Sequence, residues 1–174
     1  MPCFSHSRVS LQLQYENSKT GNAGVNRPVT EHCEFKLDPA LARDCHQLGN
    51  LHGNLLLLMN NALVPWFILV PQTNFVELCD LPLAQRQALN LAIDEVSRCL
   101  RQYWPVDKLN VAAIGNVVRQ LHVHVVGRQE GDYCWPGVVW GRPEREVYTT
   151  GQVDGIRQRV ESSCSSSFSR LANP

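Results

Sequence analysis

A segment of roughly 20 residues between Asp80 and Pro105 limits what this chain can fold into more than any other feature. Leu89, Ile93, Val96, Leu100 and Tyr103 recur at steps of four and three, and Arg86, Asp94, Arg98 and Arg101 fall between them. That spacing gathers the apolar side chains on one stripe of an α-helix and leaves the charges on the other side. Asp80 stands where a helix can begin, and Pro105 ends it. A helix with one apolar stripe needs a surface to bury it against, and strand-like segments stand on both sides of it.

Upstream, GNLLLLMN (Gly53 to Asn60) is a short apolar run, which predicts a buried strand. Asn60-Asn61 is a turn signal. WFILVP (Trp66 to Pro71) is aromatic and β-branched, bounded by prolines, and predicts the partner strand of a hairpin. Asp38 and Pro39 mark the start of a short helix reaching Cys45. Downstream, KLNVAAIG (Lys108 to Gly115) and QLHVHVV (Gln120 to Val126) predict two further strands. The connection between them, Asn116 to Arg119, is short enough for an antiparallel pair. This order predicts an α+β fold: an antiparallel sheet of about five strands with one long helix packed on it.

The chain has 174 residues, enough for one domain with a core and some tail. Residues 1–32 are polar and aperiodic and predict an N-terminal extension without regular structure. The domain is expected over 33–145. Residues 146–174 form a C-terminal segment that ends in a serine-rich tail, SSCSSSFSRLANP. Sixteen basic residues balance sixteen acidic ones, which argues against a protein held on nucleic acid by a basic surface. The seven cysteines include no C-x-x-C pair, so reduced thiols are expected rather than a disulfide framework or structural zinc site, with Cys45 and Cys99 buried. The first residues lack the apolar run of a signal peptide, and the longest apolar run is too short to span a bilayer. The expectation is a soluble cytoplasmic protein with no membrane partner.

The chemistry concentrates in RQLHVHVVGR, Arg119 to Arg128. Side chains alternate along a strand, so Gln120, His122, His124 and Val126 share one face. Leu121, Val123 and Val125 share the other, which should meet the helix. Three readings compete for the polar line. The histidines can be solvated on an open sheet face. They can be two ligands of a metal site, which would need a third ligand. Or one imidazole can be a nucleophile whose tautomer a neighbouring hydrogen bond fixes.

QLHVHVV resembles the signature of the histidine triad (HIT) superfamily, in which histidines alternate with apolar residues. The preceding hairpin, long helix and strand pair follow the same order. NVVRQLHVHVVGR followed by CWPGVVWG is similar to a bacterial branch with glutamine in the first triad position. The resemblance covers about Phe35 to Gly141. It implies a nucleotide hydrolase or nucleotidyl transferase acting on the α-phosphorus of a nucleoside phosphate derivative, with no cofactor or metal required. Carried onto this chain, His122 is the nucleophile and His124 its same-face neighbour. Gln120 is the altered first position, Asn116 a phosphate contact, and Asn61 a polar residue near the ribose. The resemblance also implies a homodimer.

Gln120 can hydrogen-bond but cannot become a cation or shuttle a proton. A nucleotide-binding module with little turnover is therefore the alternative reading. Asn61, standing where the family often has aspartate, would bond a hydroxyl without charge assistance. Arg119 and Arg128 are expected to be solvated, Trp135 and Trp140 to pack over the sheet, and His46 and His52 to be structural parts of the first hairpin.

Overall fold

The computed structural model describes residues 35–171. The N-terminal extension expected over 1–32, with Cys3, His6 and His32, lies outside the described residues.

A short helix, α1 (Pro39–Asp44), opens the described chain. Asp38 caps it by accepting from the Ala40 N–H at 2.8 Å, and proline occupies its first turn, where no donor is needed. Strands β1 (Cys45–Leu51), β2 (Asn54–Met59) and β3 (Trp66–Pro71) follow as an antiparallel meander. The β1–β2 connection is His52-Gly53, both at positive φ (49° and 75°), which is the geometry of a two-residue hairpin turn. The long helix α2 (Leu83–Tyr103) starts two residues later than Asp80 suggested, because Asp80 closes a separate 3₁₀ turn and Pro82 takes the cap. It ends at Trp104, just before Pro105. Strands β4 (Lys108–Ala112) and β5 (Val123–Arg128) then pair antiparallel, and β5 also pairs with β3.

The sheet has a sixth strand. β6 (Phe168–Ser169) pairs with β1 and completes the order β4-β5-β3-β2-β1-β6. Before it lies a third helix, α3 (Thr150–Ser163), inside the C-terminal segment read from the sequence as leading into a tail. Its start is a capping box. The Thr149 hydroxyl accepts from the Gln152 N–H, and the Gln152 side chain accepts from the Thr149 N–H. Val153, Ile156 and Val160 share one face and pack into the same core as Val96 and Leu100 of α2. Glu95 of α2 binds both His52 Nε2, at 2.9 Å, and the Ser167 hydroxyl, which ties the first hairpin turn and the C-terminal segment to the helix.

Strand parity divides the core in two. Leu56, Leu58, Phe67, Leu69, Val123 and Val125 face α2 and α3. Leu55, Leu57, Ile68, Val70 and Val126 face the opposite side. That side is not open to water: Leu41 of α1 and Val139, Tyr133 and Trp140 from the segment after β5 cover it. Two covered faces explain why β2 and β3 read as unbroken apolar runs rather than alternating ones. Cys45, Cys99 and Cys164 are buried free thiols, and burial pushes Cys45 and Cys164 up to about 12, which leaves them inert as nucleophiles. Among the described residues no helix is long and apolar enough to cross a membrane.

Candidate active site

The hydrogen-bonded part of β5 begins at Val123, so Gln120, Leu121 and His122 approach the sheet as extended chain just ahead of the ladder. The expected parity nevertheless holds. Leu121, Val123 and Val125 join the helix-side core, while His122 and His124 lie under the other cover, each 5% exposed. The solvated-face reading therefore fails. The metal reading lacks its third ligand: among the described residues no group of three or more His, Cys, Asp or Glu side chains stands together.

The two imidazoles meet edge to face with centroids 4.8 Å apart. His122 Nδ1 lies 2.7 Å from the backbone carbonyl oxygen of Gln120. A carbonyl only accepts, so Nδ1 carries the proton and Nε2 of the neutral ring keeps its lone pair. His124 is bound in the opposite sense. The Trp66 indole Nε1–H, at the start of β3, donates to His124 Nδ1 at 3.0 Å. Trp140 closes over this pair, its ring 5.6 Å from His124 and 5.8 Å from Trp66. Burial, and secondarily the neighbouring His122, push His124 down to about 3.

Gln120 does not reach either ring with its amide. Its Oε1 accepts from the Asp38 N–H and its Nε2 donates to the Lys36 carbonyl, each at 2.9 Å. The side chain thus pins the segment that leads into α1, and it is the Gln120 backbone that orients His122. Asn61 is equally committed. It is 7% exposed, donates to the Glu144 carbonyl, and accepts from the Leu63 and Glu146 N–H groups. It staples the 144–146 segment into place as a wall of the site. Asn116 is exposed in the loop between β4 and β5.

His122, His124, Asn61 and Asn116 line one cavity of about 580 Å³ with Trp66, Trp140, Arg142 and Arg145. A second depression of about 760 Å³ adjoins it and shares His122 and Asn116, with Gln120 on its wall. Sequence reasoning missed Trp66 and the two arginines of the 142–145 segment, while Trp140, expected to pack over the sheet, does so at the site itself. The only available signal for Trp66 was a lone indole donor opening a strand that otherwise contains no polar side chain.

The flanks of the motif differ from the expectation. Arg128 is not solvated: it is 1% exposed, because its guanidinium is bound on three sides. Of the two tryptophans expected over the sheet, Trp140 packs there, but Trp135 stands over the Arg128 guanidinium at 5.7 Å and stays partly exposed.

A histidine pair under a lid, on the sheet face opposite a long helix, defines the class of protein. The HIT domain family model matches residues 42–131. A histidine triad protein from Sinorhizobium meliloti 1021 is 36% identical, with a TM-score of 0.72, over 75% of this chain and 98% of its own. One from Bradyrhizobium japonicum is 35% identical, with a TM-score of 0.71, over 75% and 98%. One from Marinobacter aquaeolei VT8 is 38% identical, with a TM-score of 0.72, over 76% and 97%. No curated protein matches. The chain belongs to the HIT domain family.

Proposed function

We propose that the protein is a nucleotide hydrolase or nucleotidyl transferase that acts through His122. The observation that carries this reading is the 2.7 Å hydrogen bond from His122 Nδ1 to the Gln120 carbonyl. It holds the ring in the tautomer whose Nε2 is nucleophilic near neutral pH, in a residue that lines both adjoining depressions. Nε2 attacks the α-phosphorus, a nucleotidyl-histidine forms, and water or another acceptor resolves it.

The remaining lining suits that task. Charge developing on the phosphoryl oxygens needs aimed donors. Asn116, the His124 Nε2–H and the guanidinium groups of Arg142 and Arg145 supply them. Leu41, Met59 and Val139 give an apolar wall for a base. Asn61 contributes by holding the 144–146 segment in place rather than by offering a free amide to the ribose. No metal or cofactor enters the scheme.

The alternative is a nucleotide-binding module with little turnover. The observation favouring it is that the Gln120 amide is spent on the Lys36 and Asp38 backbone. One assay separates the two readings. Release of nucleoside monophosphate is followed by chromatography from an adenosine phosphoramidate, a diadenosine polyphosphate and a nucleotide sugar, with wild type beside His122→Ala. Release that vanishes in the variant supports the enzyme. Binding without release from any substrate supports the module. For the implied homodimer, β4 is an edge strand with Val111 exposed, where a second sheet has room to join. Sedimentation of a monomer at micromolar concentration would remove that part of the reading.

A further inference from the structure

We propose that this site expels its leaving group without protonating it. It therefore takes nucleoside phosphate derivatives whose leaving group departs as a stable anion, such as a phosphate, a nucleotide or an aryloxide, and discriminates against phosphoramidates, whose amine must be protonated to leave. The inference rests on the nucleotidyl-transfer reading above.

The Trp66–His124 bond fixes the tautomer of His124. An indole N–H only donates, and Trp66 Nε1 lies 3.0 Å from His124 Nδ1 with both residues buried. Nδ1 must therefore keep its lone pair, and the single ring proton sits on Nε2. A second proton would have to enter at Nδ1, against the indole N–H. Burial works the same way, holding His124 neutral far below the usual histidine range. A neutral imidazole could give up its Nε2 proton only by becoming an imidazolate, which does not occur near neutral pH. His124 can stabilise a phosphoryl oxygen by hydrogen bonding, but it cannot act as an acid.

Among the described residues that line the two depressions, none replaces His124 as an acid. Gln120 is an amide engaged at both ends by backbone. The His122 Nδ1 proton is held by a carbonyl on the side of the ring away from the reacting nitrogen. Asp44 is an ionised carboxylate, held low by its paired contacts with Arg43. Glu144 is an exposed carboxylate, and Arg43, Arg142 and Arg145 do not release protons. In the adjoining depression the charged groups are Glu77 and Arg119, both exposed.

The His122 Nε2–phosphorus bond forms as the bond from phosphorus to the leaving group breaks, and the leaving group carries away the electron pair as an anion. In the second half, water adds to phosphorus, the nitrogen–phosphorus bond breaks with its electron pair returning to Nε2, and the water proton passes to solvent.

The test is a leaving-group series on adenosine 5′-phosphate: a p-nitrophenyl ester, a diphosphate and a simple alkyl phosphoramidate. The expected result is kcat/KM at least about 100-fold lower for the phosphoramidate than for the ester, the size of a missing general acid. Trp66→Phe, which frees Nδ1, should narrow that gap at mildly acid pH. Comparable turnover of ester and phosphoramidate by wild type overturns the proposal while leaving the nucleophile reading intact. No His122-dependent turnover of any member overturns both. Because Trp66→Phe can disturb packing, the tautomer is also read directly in wild type by long-range ¹H–¹⁵N NMR. A protonated Nδ1 on His124 at about pH 6 overturns the proposal whatever the rates.

Discussion

Arg128 grips Asp132 with two parallel hydrogen bonds, Nε to Oδ2 at 2.6 Å and Nη2 to Oδ1 at 2.8 Å, with almost no exposed surface on either side chain. The arginine also donates to Asn110 on β4, at 3.1 Å, and Asp132 accepts from the Gln129 and Cys134 N–H groups. This one pair therefore fixes how the chain leaves β5 and turns toward the segment that covers the histidines. Removing one partner strands the other charge. Arg128→Ala should cost about 3–5 kcal/mol of stability. Arg128→Lys should recover little, because an ammonium cannot reproduce the planar fork. Urea unfolding of both variants checks this; a loss below about 1 kcal/mol would mean the pair is worth no more than a surface salt bridge.

The same pair sets an acid limit. The Arg128 guanidinium holds Asp132 at about 2, below its unfolded value. A depressed carboxylate stabilises the fold above the unfolded pKa of ~3.9, and that contribution disappears as pH falls toward the folded value. Its size is about 2 kcal/mol, and Asp132→Asn should abolish this part of the acid dependence.

His124 titrates in a separate, higher window. Its folded value of about 3 lies below an unfolded histidine. As pH falls below ~6.5 the unfolded chain binds a proton that the native state refuses, so stability declines by up to about 1.4 kcal/mol per unit. The decline continues toward the folded value, and the contribution is fully present only above neutral. His124→Asn should lower activity and flatten the stability profile between about pH 6 and pH 4.5. It should also cost some stability, since His124 is a buried partner of Trp66 and not a free surface histidine. Parallel wild-type and variant profiles would show that His124 is not the group responsible.

The parts of the fold that were legible in sequence are those set by periodicity. Leu89, Val96 and Leu100 marked the buried stripe of α2, and the alternation from Leu121 to Val125 marked which face of β5 meets it. α3 escaped because its apolar face is only Val153, Ile156 and Val160, interrupted by Gly151 and Gly155 and followed by serines. Its capping box, Thr149 with Gln152, was the local signal that went unread. In the site, residue types announced His122 and His124, but not their orientation. That depends on partners far along the chain: the Trp66–His124 bond spans 58 positions and the Gln120–Asp38 bond spans 82. A polar residue read as facing ligand, such as Asn61 or Gln120, can instead be satisfied by distant backbone, and spacing alone does not distinguish the two.

Asn61 makes that distinction measurable. Its amide joins three backbone groups, at 3.2 Å to Glu144 and 3.3 Å to both Leu63 and Glu146. Asn61→Ala should cost about 2–3 kcal/mol by leaving buried groups unpaired. It should also raise KM more than it lowers kcat, because the wall carrying Arg142 and Arg145 loosens. Asn61→Asp keeps both accepting contacts and should lose less. If the alanine variant were as stable as wild type but bound nucleotide poorly, a direct ribose contact would be the better account of this residue.

Gly49 decides whether β6 can dock. It follows a bulge in β1 at which Gln47 pairs with Leu57 and Gly49 with Leu56, so that Leu48 is an extra residue turned into the core. The bare α-carbon faces the incoming C-terminal strand: an added Cβ would overlap the Ser169 carbonyl oxygen and come within 2.5 Å of Phe168 Cζ. Backbone cannot step aside without breaking the Asn50–Ser169 and Leu51–Phe168 pairing. Gly49→Ala should therefore release β6 while β1–β2 pairing survives. Hydrogen exchange should show protection lost at the residues 167–169 backbone before any loss at β2, together with a stability cost of about 1–3 kcal/mol typical of overpacking. Loss confined to the α3–β6 end would confirm that the C-terminal segment is an integral layer of this fold. Uniform loss across the sheet would mean instead that the bulge, and not the docking contact, is what the glycine serves.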